Sequence, residues 1–295
     1  MKIIVCKTAG LCAGAKRAYD AAKSSAESGK KTYIYKEILH NEKLIDDLNH
    51  IGAKTIFDLN NLDDDCVVVL RAHGEEKNTY AFLQQTKYNV IDMMCPNVKR
   101  VREIALQKAN DGYKIIVVGN KKNGKIHDET KSLLSFLDSP ILVTSIDDIA
   151  STLFEKGVKY FAVCQTTYSA SDYNKIIDLI NLHAKRVGCE FEYANTICSF
   201  PIVNIEESKK LAQKSNIMVV LGSKSSSNTT ELYNSIKGIC PTVFDDDYNR
   251  IFDYIVACIK NNKLNKSNLV IGVVAGASTL KSDLQQLVDY LIKCL

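Results

Sequence analysis

Short apolar runs alternate with longer amphipathic stretches along the whole chain. The runs span four to eight residues, are rich in β-branched residues and show little strict alternation, which predicts strands buried on both faces. The clearest are KIIV, TYIYKEIL, CVVVL, NVIDMM, KIIVVG, KYFAVC, NIMVVLG and LVIGVVAG. The stretches between them predict helices, most clearly over residues 97–111, 172–186, 205–214 and 282–294. Strands that alternate with helices are typical of α/β proteins, with mostly parallel sheets and right-handed crossovers.

The length, composition and charge of the chain are those of an ordinary globular protein. The chain has 295 residues, of which 46% are hydrophobic and 24% charged, enough for two or three compact units. A net charge of +4, with 38 basic and 34 acidic residues, does not indicate a nucleic-acid partner. The first residues lack a secretory signal, and no apolar run approaches the roughly 18 residues of a membrane span. We therefore expect a cytoplasmic protein without a membrane partner, in which the ten cysteines are not paired in disulfides.

Chemically capable side chains follow the predicted strands. In parallel α/β sheets, ligands bind outside the carboxyl ends of the strands. Nearly every run here is followed by a metal-ligating or hydrogen-bonding residue, whereas chance would scatter such residues over both ends. These residues are Cys12, His40, His73, Cys95, Thr166, Thr167, Cys198, Ser226, Ser227, Asn228 and Ser278.

Three of the cysteines share one context. Cys12, Cys95 and Cys198 are 83 and 103 residues apart, and each stands between a strand-like run and a helix-like or turn-like segment. A helix N-terminus favours the thiolate, which is the metal-binding form. Converging thiolates suit zinc or an iron–sulfur cluster, and ligand type alone does not separate the two. The alternative is a cysteine that acts as a small buried hydrophobe, which we assign to the other seven cysteines.

Seven short motifs along the chain match those of a known protein family in order and spacing. They are GLCAGAKRA, ILHN, RAHG, MMCP, QTTYS, GSKSSSN and AGAS, from the first strand to about Ser278. In order and spacing the chain resembles the hydroxymethylbutenyl diphosphate reductases of the LytB/IspH family. The resemblance implies a trefoil of three pseudo-symmetric α/β units around a central 4Fe-4S cluster. The implied units are residues 13–94, residues 95–196, and residues 1–12 together with 197–295.

The same resemblance implies a reaction. Cys12, Cys95 and Cys198 would hold three irons and leave the fourth open to the substrate. Two electrons and protons would remove the allylic hydroxyl of 4-hydroxy-3-methylbut-2-enyl diphosphate as water, giving isopentenyl and dimethylallyl diphosphates in the non-mevalonate route. A ferredoxin or flavodoxin would supply the electrons.

Other motif residues would bind the substrate. Hydroxyls, amides and histidines at strand ends suit a diphosphate, which needs many donors at close range. Thr166 would help to relay a proton. The alternative for Ser226–Asn228 is a turn and helix cap, and for the histidines a partly buried structural role. The implied substrate-binding residues are His40, His73, His127, Thr167, Ser226, Ser227, Asn228 and Ser278.

The proton-donating acid depends on the register of one loop. The family carries a His-Pro-Glu tripeptide shortly after its fifth strand, where this chain reads VVGNKKNGKIHDETKS. An ungapped match puts the tripeptide on residues 123–125 and loses the acid, whereas a four-residue insertion aligns His127, Asp128 and Glu129. Surface turns tolerate insertions, and removal of a hydroxyl as water needs a proton donor. We therefore predict that Glu129 is the catalytic acid.

Several positions depart from the family pattern. Met93 and Met94 precede Cys95, residues 199–206 differ after Cys198, and Val274 and Leu280 replace a threonine and a proline. These changes leave open a paralogue with the same cluster that reduces another small unsaturated or allylic alcohol. A non-enzymatic cluster-binding redox sensor is a further alternative. A zinc hydrolase is disfavoured, and a nicotinamide enzyme lacks its fingerprint because AGLCAGA is not G-x-G-x-x-G.

Overall fold

The computed structural model describes residues 1–38, 41–151, 154–224, 226–277 and 279–295. The strands are β1 (Lys2–Val5), β2 (Thr32–Tyr35), β3 (Ala53–Ile56), β4 (Val67–Leu70), β5 (Asn89–Asp92), β6 (Lys114–Val118), β7 (Lys121–Lys122), β8 (Lys125–Ile126), β9 (Ile141–Val143), β10 (Lys159–Cys164), β11 (Glu190–Tyr193), β12 (Ile217–Leu221), β13 (Thr242–Asp245) and β14 (Val270–Ala275). The helices are α1 (Ala13–Glu27), α2 (Glu42–His50), α3 (Lys77–Leu83), α4 (Pro96–Asn110), α5 (Asp128–Leu134), α6 (Asp147–Ser151), α7 (Ala170–Val187), α8 (Ser199–Ala212), α9 (Ser227–Ile236), α10 (Tyr248–Asn261) and α11 (Lys281–Cys294).

The described residues form three four-stranded sheets and one short hairpin. The sheet orders are β1-β14-β12-β13, β3-β2-β4-β5 and β11-β10-β6-β9, and all pairs within them are parallel. Strands β7 and β8 pair antiparallel. The predicted α/β class with parallel sheets is therefore confirmed.

The buried strands match the predicted runs better than the edge strands do. All eight predicted runs contain a strand, but TYIYKEIL ends as a strand at Tyr35, because Lys36 turns the backbone into the left-handed region with φ 63°. Edge strands β3, β9, β11 and β13 are short or partly polar, and no apolar run predicted them. Helix α8 begins at Ser199, ahead of the predicted 205, because a proline (Pro201) is tolerated in its first turn.

The chain divides into two compact units. The first comprises Met1–Asp20, Glu37–Ile51 and Ser199–Leu295, and it contains the β1-β14-β12-β13 sheet. Its core is the apolar strands β12 and β14, covered by apolar faces of α10 and α11. The register aligns Leu221 with Ala275, so both central strands end at the same level.

The second unit comprises Ala21–Lys36 and Gly52–Cys198, and it contains the other two four-stranded sheets. Strands β6 and β10 are almost completely buried and end together, with Val118 aligned with Cys164. The division into units 13–94, 95–196 and 1–12 plus 197–295 stays a prediction.

Within the described residues, no helix has the length and apolar character needed to cross a bilayer.

Candidate functional site

A buried carboxyl group lies at the carboxyl end of β10. Glu129, on the first turn of α5, is 4% exposed. Its Oε1 accepts a hydrogen bond from the Thr166 backbone N–H at 2.6 Å, and its Oε2 accepts one from the Thr166 hydroxyl at 2.7 Å. Burial raises the pKa of Glu129 to about 7, although the two bonds from Thr166 act to lower it. The group is therefore able to give or take a proton near neutral pH.

The hairpin before α5 sets the position of Glu129. Asn123 and Gly124 both have positive φ, 51° and 77°, as the two-residue turn of a tight hairpin requires. His127 then caps the helix, because its Nδ1 accepts a hydrogen bond from the Glu129 N–H at 3.3 Å. Accepting that bond requires Nδ1 to be unprotonated, which leaves the ring proton of a neutral His127 on Nε2.

A glutamine and a glycine hold α5 against the sheet. The Gln165 Oε1 accepts hydrogen bonds from the Asn120 N–H at 2.9 Å and from the Thr130 hydroxyl at 3.0 Å. Gly119 follows β6, and a Cβ there would overlap the Thr130 side chain, so only glycine allows this close approach. The Gln165 amide also donates to the hydroxyl of Thr167, which is exposed.

Two of the predicted cysteines are joined to this site through the backbone. The Cys198 N–H donates to the carbonyl oxygen of Thr166 at 2.8 Å, and the Cys95 N–H donates to that of Ala72 at 2.9 Å. Ala72 precedes His73, whose ring meets the His127 ring edge-on with centroids 5.3 Å apart. One unit thus brings Cys95, Cys198, His73, His127, Glu129 and Thr166 into a continuous series of contacts.

All three predicted cysteines stand immediately before a helix. Cys12 precedes α1 and its sulfur lies 3.4 Å from the Ala15 N–H, Cys95 caps α4, and Cys198 precedes α8. The Cys198 sulfur also accepts a hydrogen bond from the Asn97 side-chain amide at 3.2 Å. Each thiol is partly exposed and free of disulfides. Because helix N-termini and N–H donors favour thiolates, this donor set fits an iron–sulfur cluster.

Of the seven cysteines assigned as buried hydrophobes, Cys294 is exposed because it ends the last helix, so that assignment is wrong there. Burial raises the pKa of the thiols of Cys66, Cys164, Cys189 and Cys240, so these groups stay protonated. Within the described ranges, no three His, Cys, Asp or Glu side chains lie close enough together to hold a single metal ion.

The first unit carries hydroxyl and amide groups at the carboxyl ends of its central strands. Ser226 caps α9, and its hydroxyl oxygen accepts bonds from the Thr229 N–H at 3.4 Å and the Thr229 hydroxyl at 3.0 Å. A Cβ at Gly276, which follows β14, would overlap the Thr229 hydroxyl. Asn228 is half-buried beside this pair. The α9 turn is therefore packed directly onto the end of the sheet.

The Cys12 loop lies in this same unit. The Leu11 N–H donates to the carbonyl oxygen of Thr279 at 2.8 Å, which fixes the loop beside the end of β14. The buried Asn204 accepts a hydrogen bond from the Thr8 hydroxyl at 2.7 Å and donates to the Ala275 carbonyl at 3.1 Å. Both contacts hold the segment between β1 and α1 in place.

Three of the predicted site residues have no described side chain. His40 and Ser278 are outside the described residues, as is the side chain of Ser227. The sequence analysis assigned no role to Arg71, Asp128, Gln165 or Asn97. The first three lie inside or beside quoted motifs, which is the signal that could have found them.

Comparisons with known proteins agree over nearly the whole chain. The family model "LytB protein" matches residues 3–292. A 4-hydroxy-3-methylbut-2-enyl diphosphate reductase of Petrotoga mobilis (strain DSM 10674 / SJ95) is 32% identical over 295 residues, covering 99% of this chain and 97% of the relative. A reductase of the same name from Thermoanaerobacter sp. (strain X514) is 33% identical over 284 residues, covering 95% and 92%.

Solved structures give the same result. A structure of (E)-4-hydroxy-3-methyl-but-2-enyl diphosphate reductase, described as the terminal enzyme of the non-mevalonate pathway, aligns with a TM-score of 0.78 at 28% identity, covering 99% of this chain and 100% of that one. The corresponding reductase from Plasmodium falciparum aligns with a TM-score of 0.80 at 25% identity, covering 98% and 87%.

Proposed function

Because the chain belongs to the LytB protein family, we propose that it is a 4-hydroxy-3-methylbut-2-enyl diphosphate reductase. The enzyme removes the allylic hydroxyl with two electrons and two protons, so that the products are water and isopentenyl or dimethylallyl diphosphate. The observation that carries this proposal is the buried Glu129 carboxyl, which is bonded twice to Thr166 and poised near neutrality.

Glu129 supplies the proton that makes the hydroxyl leave as water. A hydroxide is a poor leaving group, so an acid with a pKa near the working pH favours the C–O cleavage. When Glu129 is protonated, its Oε2–H donates to the Thr166 hydroxyl oxygen, 2.7 Å away. The Thr166 hydroxyl then donates its own proton to the substrate hydroxyl and takes the Glu129 proton in its place. His73 and His127 lie next in the series of contacts and bind the substrate's anionic end.

Cys12, Cys95 and Cys198 hold the 4Fe-4S cluster of this family. When bound by these residues, the cluster would supply low-potential electrons and Lewis acidity for the reduction. Asn97 donates a hydrogen bond to the Cys198 sulfur, and such bonds to ligand sulfurs are one of the factors that set cluster potential. A ferredoxin or flavodoxin is the proposed electron donor.

The diphosphate is bound by neutral donors and histidines. The proposed residues in the first unit are His40, Ser226, Ser227, Asn228 and Ser278, and those in the second are His73, His127 and Thr167. The hydroxyl and amide groups of the α9 turn support this role, because they donate hydrogen bonds to an anion without bringing a titratable group.

The test is anaerobic reduction of the allylic diphosphate with a low-potential donor. We expect turnover by the wild-type protein, with a broad iron–sulfur absorption that Cys12→Ser, Cys95→Ser and Cys198→Ser each abolish or reduce. The Cys258→Ser variant, at a cysteine assigned to packing, is the matched control and retains the spectrum. An intact spectrum without turnover would favour a paralogue with another allylic alcohol as its substrate, and stoichiometric zinc would exclude the proposal.

A further inference from the structure

A chain of ion pairs runs beside the Glu129 site. The Arg71 guanidinium donates through Nε to Glu75 Oε1 at 2.8 Å and through Nη1 to Asp128 Oδ2 at 2.6 Å. The second oxygen of Glu75 accepts from the Lys36 ammonium at 2.6 Å. The four side chains carry two positive and two negative charges, so the group is neutral as a whole.

The centre of this group is shielded from water. The side chains of Arg71 and Glu75 are 4% and 1% exposed, in contrast to surface pairs such as Lys87 and Asp64 at 80% and 66%. An arginine does not lose its proton in proteins, so a buried guanidinium needs its acidic partners. Burial acts to raise the pKa of Asp128, but the Arg71 charge and the Arg71 hydrogen bond hold it below its ordinary value.

The pairs join the two segments that carry the proposed proton donor and its histidines. Arg71 and Glu75 flank His73 on the loop after β4, and Asp128 lies between His127 and Glu129 at the start of α5. A second bond, from the Ser132 hydroxyl to the Glu75 carbonyl at 2.8 Å, ties the same loop to the same helix. Moving Asp128 would therefore move Glu129 relative to His73.

We propose that Asp128 is a positioning residue that, through Arg71, holds Glu129 and His127 in register with His73. This inference rests on the proposed function, in which Glu129 is the acid. In the register with a four-residue insertion, Asp128 stands where the family tripeptide has a proline. A proline at the first helical position fixes the helix start by its ring, whereas here an ion pair to the neighbouring loop does so.

The test compares Asp128→Asn with Asp128→Pro. Asparagine keeps the shape but loses the charge that holds Arg71. We therefore expect kcat per cluster to fall about 10- to 100-fold and KM to rise as His127 shifts from His73, with little change in iron content. Proline suits this position, because His127 has the extended backbone (φ −58°, ψ 140°) that a following proline requires. Asp128→Pro therefore recovers most of the lost kcat.

Glu76→Gln is the matched control. Glu76, on the loop after β4, forms an ion pair at 3.5 Å with Lys131 of α5, the helix that carries Asp128. This pair is open to solvent, with the Glu76 and Lys131 side chains 39% and 56% accessible. We expect its kcat to equal that of the wild type. Unchanged kcat in Asp128→Asn would overturn the proposal, and so would an equal loss in Asp128→Pro, because the charge itself would then be acting on the reaction.

A second measurement separates this inference from the proposed function. Hydrogen exchange of the backbone amides of residues 129–131 should be faster in Asp128→Asn than in the wild type and slow again in Asp128→Pro. The comparison holds whatever the substrate is. A wild-type protein that does not reduce the diphosphate would refute the proposed function alone, whereas unchanged exchange in Asp128→Asn would refute the positioning role.

Discussion

The first turns of α5 and α9 have the same construction and opposite chemistry. Each begins after a capping side chain, His127 or Ser226, that accepts a hydrogen bond from a first-turn N–H. Each presses its third residue, Thr130 or Thr229, onto a glycine at the end of a central strand. The second residue differs, because α5 presents Glu129 there and α9 presents Asn228.

The difference shows that the scaffold fixes a position and one side chain sets its chemistry. On α5 the second residue is a carboxyl group, enclosed and bonded to Thr166, with its pKa raised to about 7. On α9 it is an amide among hydroxyl groups, which carries no charge at any pH of interest. One turn suits proton transfer and the other suits anion binding.

The substitution with the largest expected effect on activity is Glu129→Gln. The amide keeps both hydrogen bonds to Thr166, because its oxygen accepts from the N–H and its NH₂ donates to the hydroxyl. The proton is lost, so we expect kcat to fall about 100- to 10,000-fold, the usual range for removal of a general acid. Single-turnover kinetics of the loaded enzyme measure this. A fall of less than threefold would show that Glu129 is not the acid.

The reciprocal change is Asn228→Asp, which puts a carboxylate at the equivalent place on α9. Its charge would repel the diphosphate, and like charges at close range cost several kcal/mol in binding. We expect KM to rise by about tenfold or more, with kcat nearly unchanged. Steady-state kinetics separate the two constants, and a fall in kcat at constant KM would place Asn228 outside the anion site.

The raised pKa of Glu129 has a consequence for stability. The folded protein holds this proton up to about pH 7, whereas the unfolded chain releases it near the ordinary glutamate pKa of 4.5. The folded state therefore binds more protons in that window, and stability falls as pH rises through it, by about 1.4 kcal/mol per unit from this group. Glu129→Gln lacks this slope. The free energy of unfolding in urea should fall less between pH 5 and pH 7.5 for the variant than for the wild type. An equal fall in both proteins would contradict the raised pKa.

The scaffold itself is tested by Gly119→Ala and Gly276→Ala. In each variant the new methyl group would overlap the threonine of the facing turn, and we expect about 1–3 kcal/mol of destabilisation from overpacking. Gly238→Ala is the control, because no atom lies within 4 Å of a Cβ built there. Similar losses at Gly119 and Gly276 would support the equivalence of the two turns, and a loss at only one of them would refute it.

The sequence predicted the buried strands and their order along the chain better than it predicted the side-chain contacts. Buried strands such as Lys114–Val118 are continuous apolar runs and were predicted, because burial on both faces leaves that pattern. The edge strand Glu190–Tyr193 is four residues long and mostly exposed, so it contains no continuous apolar run to predict it. Parallel strands bring their ends to one edge, which allowed the strand-end residues to be identified before any contact was known.

The ion pairs of Arg71 were beyond sequence reasoning. RAHGEE is typical of a charged loop, and no sequence pattern indicates that Arg71 and Glu75 are buried while Glu76 is only half-buried. Asp128 likewise reads as a routine acidic residue at a helix start. Which of several adjacent charges faces inward depends on the packing of α5 against the loop after β4, which only the folded chain defines.

The β7–β8 hairpin affects how the equivalent of Glu129 should be located in related chains. Its two strands pair Lys121 with Ile126, so the chain leaves and rejoins the fold at nearly the same point. Such a detour can grow or shrink without displacing the segment that follows. Counting residues from the preceding strand would place the proposed acid on Lys125, and the proposed proton donor would be missed. In relatives with other spacings here, the acid should be sought from the helix start.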